Sequence, residues 1–286
     1  MGQQEFSLSA EEFARVRARL YEEAGISLSE AKRTLVVSRL GKLVRDTGLD
    51  SIGAYLDHLE HRADGTQKQA FVNALTTNLT RFYREEHHFD HLAEYVGALI
   101  RNPPRRGPDG RPRLRIWSAG CSTGQEPYTI ALDLSARHPE LRRWDFRILA
   151  TDIDTSVVER ARTGTYPNAD LAGLSAERLR LFERDEPGHV RIPRPVRDLV
   201  VFKPLNLMGA WPMKGMFDAV FCRNVAIYFD RPTQTALFDR MGGLVAPGGC
   251  LYIGHSENLG AGAGRFKLVG KTIYRRLPVA KSKDAA

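Results

Sequence analysis

Several side chains in this 286-residue chain are of types that a packed interior does not call for, and they fall in short, separated stretches. Asp152 closes the apolar run FRILAT (146–151). An acid at the tip of such a run can accept both ribose hydroxyls of a nucleoside. Glu126 follows the small-residue stretch GCSTGQ (120–125). The glycines there are not spaced GxGxxG and no lysine completes a P-loop, which argues against a pyrophosphate or ATP. An anion in the turn repels phosphate and welcomes a cation. S-adenosylmethionine fits that chemistry, because it carries a sulfonium and an ammonium and no phosphate. Asn78, Thr80 and Arg84 lie in NLTRFYRE (78–85) and suit a ligand carboxylate. Asn206 and Leu207 suit a base edge and a ring face, although an Asn-Leu pair is more often a turn. Arg223, Asn224 and Tyr228 are the polar exceptions in FCRNVAIYFD (221–230). His255, in GHSEN (254–258), reads as structural, since the transfer considered below needs no base.

These residues need strand ends and turns to hold them. The apolar residues Leu114, Ile116 and Trp117, the glycine turn and the periodic run YTIALDL (128–134) read as strand, turn and helix. Further strands are expected at 146–151, 217–222 and 249–254, and a closing hairpin at 266–275 around Gly270. Alternating strands and helices with a late hairpin indicate an α/β mixed sheet. Ligands of such sheets bind beyond the carboxyl ends of the strands. Residues 189–192 and 199–202 also read as strands and are expected to form a small appended sheet.

Residues 1–100 read as helical. Capping boxes are expected at SAEE (9–12) and SLSE (27–30), a helix start at Ser51, and a further apolar-periodic stretch at 71–79. Arg33, Arg39, Lys42 and Arg45 interleave with the apolar face of the second helix, giving a basic surface that is either solvated or a docking site. Residues 103–113 form a turn-rich linker. The formal net charge of +8 admits nucleic acid or an acidic protein as partner. No Asn/Asp-Pro-Pro-aromatic tetrad and no Pro-Cys nucleophile supports a nucleic-acid methyltransferase. No apolar run reaches membrane-spanning length, and the first residues lack a basic segment and an apolar segment. Cytoplasmic location without disulfides is therefore expected for Cys121, Cys222 and Cys250, and no metal site is expected. Residues 280–286 are expected to fray.

Taken together, TTNLTRFYRE (76–85), WSAGCSTGQEPY (117–128), TDID (151–154), Asn206-Leu207, FCRNVAIYFD and GHSEN closely resemble the CheR methyltransferases of chemotaxis receptors. The resemblance runs from about residue 8 to about 277. It implies a Rossmann-like S-adenosylmethionine-dependent methyltransferase domain at 101–280, an N-terminal helical receptor-docking domain at 1–100, and a small antiparallel β-subdomain inserted at about 165–200. It implies methyl transfer to receptor glutamates, leaving S-adenosylhomocysteine. Asn78, Thr80, Arg84, Glu126, Asp152, Asn206, Leu207, Arg223 and Asn224 match cofactor-site positions, and Arg84 and Tyr228 match positions near the transferred methyl. The basic face then meets acidic receptor helices. Phe82-Tyr83 replaces the usual Phe-Phe. The loop DEPGH (185–189) is shorter than in members that tether to a receptor's C-terminal pentapeptide, so docking of a monomer without the tether is expected. A non-catalytic receptor-binding module of the same fold is the alternative that retention of Arg84, Asp152, Asn224 and Tyr228 argues against.

Overall fold

A computed structural model describes residues 6–278, so the tail expected to fray lies outside the described residues. Helices α1 (Ala10–Ala24), α2 (Arg33–Thr47), α3 (Ile52–His61) and α4 (Gly65–Leu75) enclose one apolar core of their own. The start of α1 is fixed by the expected box: Ser9 accepts from the Glu12 amide and Glu12 accepts from the Ser9 amide. Its apolar residues Phe13, Val16 and Leu20 recur at helical spacing and are fully buried. Ser51 caps α3, and Asp64 with Gln67 forms a box at α4 that the sequence reading does not anticipate.

Two expectations for this region are corrected. The box at 27–30 does not form: Ser29 precedes a short 3-10 turn without a side-chain cap, and α2 starts at Arg33. A tertiary contact wins there, because the Ser27 amide donates to the Tyr228 carbonyl at 2.8 Å. The helix over 71–79 stops at Leu75, and Thr76 is already extended. The basic face is partly engaged within the chain: Arg33 donates to the Leu8 carbonyl and Arg39 to the Thr76 carbonyl, while Lys42 and Arg45, the latter over the Phe6 ring, are exposed.

Helix α5 (His87–Arg101) packs with the sheet: Phe89, Leu92 and Val96 share a core with Leu114 and Ile116. The helical unit with its own core therefore ends before α5, short of residue 100. The elements that follow are β1 (Arg113–Ala119), α6 (Gln125–Arg137), β2 (Asp145–Asp152), α7 (Thr155–Thr163), β3 (Thr165–Pro167), α8 (Ala176–Leu179), β4 (Glu183–Arg184), β5 (His189–Arg191), α9 (Arg194–Arg197), β6 (Val200–Pro204), β7 (Phe217–Cys222), α10 (Arg231–Leu244), β8 (Val245–Ile253), β9 (Phe266–Gly270) and β10 (Ile273–Arg276). The main sheet has the order β6-β2-β1-β7-β8-β10-β9. Its first five strands are parallel, and β10 runs antiparallel to both neighbours.

Successive residues of β1 face opposite layers, as the strand period of two requires. Ile116 packs towards α5 and α6, and Trp117 towards Phe238 and Met241 of α10. Burying a side chain such as Phe238 contributes about 1.5–3 kcal/mol relative to leaving it in water. All six residues of β7 are buried, as a central parallel strand demands. The expected appended sheet exists only in part. Strands β3, β5 and β4 make a three-stranded antiparallel sheet, but residues 200–204 belong to the main sheet, where Val200 pairs with Ile148 and Pro204 with Asp152.

Candidate active site

The carboxyl ends of β1, β2, β6 and β7 open into one cavity of about 570 Å³, within the size range of small-molecule sites. The segment 76–84 and the α1–α2 connection line its other side. All ten residues assigned to the site from the sequence line it: Asn78, Thr80, Arg84, Glu126, Asp152, Asn206, Leu207, Arg223, Asn224 and Tyr228. His255 does not; it is exposed, with Nδ1 3.2 Å from Glu85 Oε1, in keeping with a structural role.

The turn after β1 is pinned to the end of β2, since the Gly120 and Cys121 amides both donate to the Thr151 carbonyl. Gly120 has a φ of +82°, and a Cβ there would overlap Val225. Only glycine fits without displacing the loop after β7. Asp152 accepts from the Ser122 amide at 2.8 Å and the Asp154 amide at 3.0 Å. Burial pushes its carboxyl above the usual range while those amides pull it back. Asp154 caps α7 with one oxygen and with the other accepts from Thr76 and, at 2.7 Å, from Asn78. Asn78 is thus aimed by a neighbour that sequence reasoning did not assign a role, although it lies in the quoted TDID stretch.

The floor holds a buried ion-pair chain. Glu126 accepts from Ser118 at 2.7 Å and from Arg223 at 3.1 Å. Arg223 also meets the Arg84 carbonyl and lies 3.5 Å from Glu85. Burial raises the Glu126 carboxyl, opposed by Arg223 and Ser118. Burial works against the Glu85 anion too, but Arg223 and His255 hold its carboxyl below the usual range. A buried charge chain of this kind is costly unless fully paired, so Arg223 is better suited to holding charge in place than to being released.

Glu257 is the strongest feature that the sequence reading passed over. Its buried carboxylate accepts the amides of Asn224 at 3.0 Å, Ile227 at 3.1 Å and Gly254 at 2.6 Å. It ties the loop after β7 to the end of β8. The signal was present in GHSEN, where attention goes to the histidine. Asn206 carries a bridging role as well: its Nδ2 donates to the Glu23 carbonyl at 2.6 Å and its Oδ1 accepts from the Met208 amide. Leu207 is buried among the residues that pack beneath α10. Arg84 closes its own turn by donating to the Leu79 carbonyl at 3.0 Å.

The cradle at Gly120, the carboxylate at the tip of β2 and the acids on the floor fit a cationic nucleoside without phosphate, and with the sheet order they define an S-adenosylmethionine-dependent methyltransferase. Residues 78–275 match the CheR methyltransferase SAM binding domain, and residues 11–76 match the CheR methyltransferase all-alpha domain. A probable chemotaxis protein methyltransferase of Rhizobium etli is 43% identical over 261 residues, covering 90% of this chain and 96% of that one. Chemotaxis protein methyltransferase 2 of Pseudomonas aeruginosa is 46% identical over 280 residues, covering 96% and 95%. The chemotaxis protein methyltransferase of Salmonella typhimurium is 42% identical over 289 residues, covering 99% and 94%. The chain belongs to the CheR methyltransferase family.

Proposed function

We propose that this methyltransferase esterifies glutamate side chains of chemotaxis receptors, and that the cavity residues divide the work as follows. The observation that carries the reading is the convergence of residues from separate segments on one cavity, with acids below and Arg84 and Tyr228 on the wall. When bound, S-adenosylmethionine supplies a methyl group activated by its sulfonium. Asp152 takes the ribose hydroxyls, with Asn206 and Leu207 at the base. Asn78, Thr80, Glu126, Arg223 and Asn224 complete the cofactor wall. A glutamate with an ordinary pKa of about 4.3 is ionised near neutrality, so no general base is required. Tyr228 donates a hydrogen bond to the non-attacking oxygen of the acceptor. Arg84, restrained by the Leu79 carbonyl, orients a carboxylate without binding it so tightly that nucleophilicity is lost. In-line positioning and exclusion of water then account for the acceleration.

The helical unit serves as the receptor-docking part and the remainder as the methyltransferase part. We assign the protein to the cytoplasm, where the cytoplasmic helices of its proposed receptor substrates lie; among the described residues no helix is long and apolar enough to cross a membrane. The hairpin between β4 and β5 turns over residues 185–188, closed by the Asp185 amide on the His189 carbonyl. So short a turn supports docking without a C-terminal tether; micromolar binding of a receptor C-terminal pentapeptide in calorimetry would overturn the untethered mode. The reaction itself is tested with labelled S-adenosylmethionine and a soluble receptor cytoplasmic fragment. Label released by alkali as methanol is expected, and its absence from a fragment that the enzyme binds would refute the esterification.

A further inference from the structure

Three large apolar side chains stand in solvent around the cavity mouth: Leu79, 82% exposed, Ile227, 46% exposed, and Leu35, 37% exposed. Each comes from a different segment. Two of them are mounted on backbone that polar side chains hold rigid. The Leu79 carbonyl takes the Arg84 guanidinium, and the Ile227 amide donates to buried Glu257. Their exposure is therefore built in rather than a result of fraying. They are also directly coupled to the two residues assigned to the acceptor, Arg84 through that hydrogen bond and Tyr228 as the next residue after Ile227. Beside them Lys32 lines the mouth, and Arg81 is exposed on the same turn as Leu79; neither makes an ion pair among the described residues. The acids of the cavity are already engaged on its floor. The mouth is thus apolar with a positive border.

We infer that Leu79 and Ile227 are specificity contacts that read the residues flanking the acceptor glutamate on an acidic helix. This rests on the glutamate reading above. A carboxylate reaching Arg84 and Tyr228 enters through this mouth, so its neighbours meet the rim. On a helix those neighbours lie three and four residues away on the same face. Small apolar side chains there bury the two rim residues, and acids elsewhere on the helix face Lys32 and Arg81. An acid at the flanking positions would instead be stripped of water against leucine and isoleucine.

The test uses two acidic coiled-coil peptides, each carrying one acceptor glutamate and differing only in Ala or Asp at the three- and four-residue flanks. The native enzyme should prefer the alanine peptide in kcat/KM by at least about tenfold, the scale of a modest apolar contact. Leu79→Ser with Ile227→Ser should erase most of that preference, chiefly through KM, with the dissociation constant for S-adenosylmethionine unchanged. Leu268→Ser, which alters an exposed leucine on β9, should keep the preference. Equal use of both peptides by the native enzyme, or preference retained in the double variant, overturns the inference. So does failure on both peptides while a receptor cytoplasmic fragment is esterified, since the occupant is then not a simple helix. Failure on that fragment too would sink the glutamate reading itself.

Discussion

Asp152 has two tasks at once. Its oxygens fix the Ser122 and Asp154 amides, and we propose that its remaining lone pairs take the ribose hydroxyls. Asp152→Ala should weaken S-adenosylmethionine binding by about 10- to 100-fold, the loss of hydrogen bonds to a charged acceptor, as measured by calorimetry. An unchanged dissociation constant would remove the assignment. Tyr228 is expected to behave oppositely. Tyr228→Phe should lower kcat by about tenfold or more while cofactor affinity holds, if its hydroxyl acts on the acceptor as proposed. Residues of this kind are legible in the sequence because their chemistry has no place in a core and they stand at strand ends. Asp154, Glu85 and Glu257 are not, because their partners are backbone amides or side chains brought close only by the fold. A carboxylate in a sequence does not announce which amides it will meet.

At the level of elements, the loop after β7 depends on Glu257. Without it the Asn224, Ile227 and Gly254 amides lose their acceptor inside the protein. Glu257→Gln keeps one acceptor oxygen and should cost about 1–3 kcal/mol in urea unfolding. Turnover should fall as well, and combining it with Tyr228→Phe should cost less than the product of the two single losses, because one acts through the other. Fully multiplicative losses would show that the loop anchor and Tyr228 are independent. The strands β1, β2, β7 and β8 and the closing hairpin are readable from apolar runs and turn residues. The place of β6 is not: residues 200–204 alternate buried and exposed as any edge strand does, and only the pairing with β2 decides its sheet. The missing box at 27–30 has the same origin, a contact of the Ser27 amide with the Tyr228 carbonyl that local propensity cannot foresee.

Across the whole molecule, the helical unit is fastened to the sheet by polar contacts around the cavity: Gln69 to the Ile153 carbonyl, Asn73 to Thr155, Tyr21 to Asp230. On another side α5 meets the final hairpin through His88, whose Nε2 lies 3.0 Å from Thr272 Oγ1. Burial, with Arg223 and His87 beside it and Glu85 opposing, brings His88 down to about 3 from its ordinary 6.5. At neutral pH it is uncharged, so its approach to Glu85 is not an ion pair. Between those two values the unfolded chain binds a proton that the folded protein refuses. Stability from this residue is therefore complete above pH 6.5 and falls as pH drops towards 3. His88→Gln should flatten the acid limb of the stability profile by up to about 1.4 kcal/mol per pH unit. An identical slope in the variant would assign that limb to other groups.

The position of β10 between β8 and β9 bears on how the protein is made. A chain emerging from the ribosome has to wait for Arg276 before the open edge of β8 receives its neighbour. Until then the nascent sheet presents unpaired amides and carbonyls, the surface on which chains stick to one another. Until β10 arrives, the edge of β8 is the place where a partly made chain is open to such pairing.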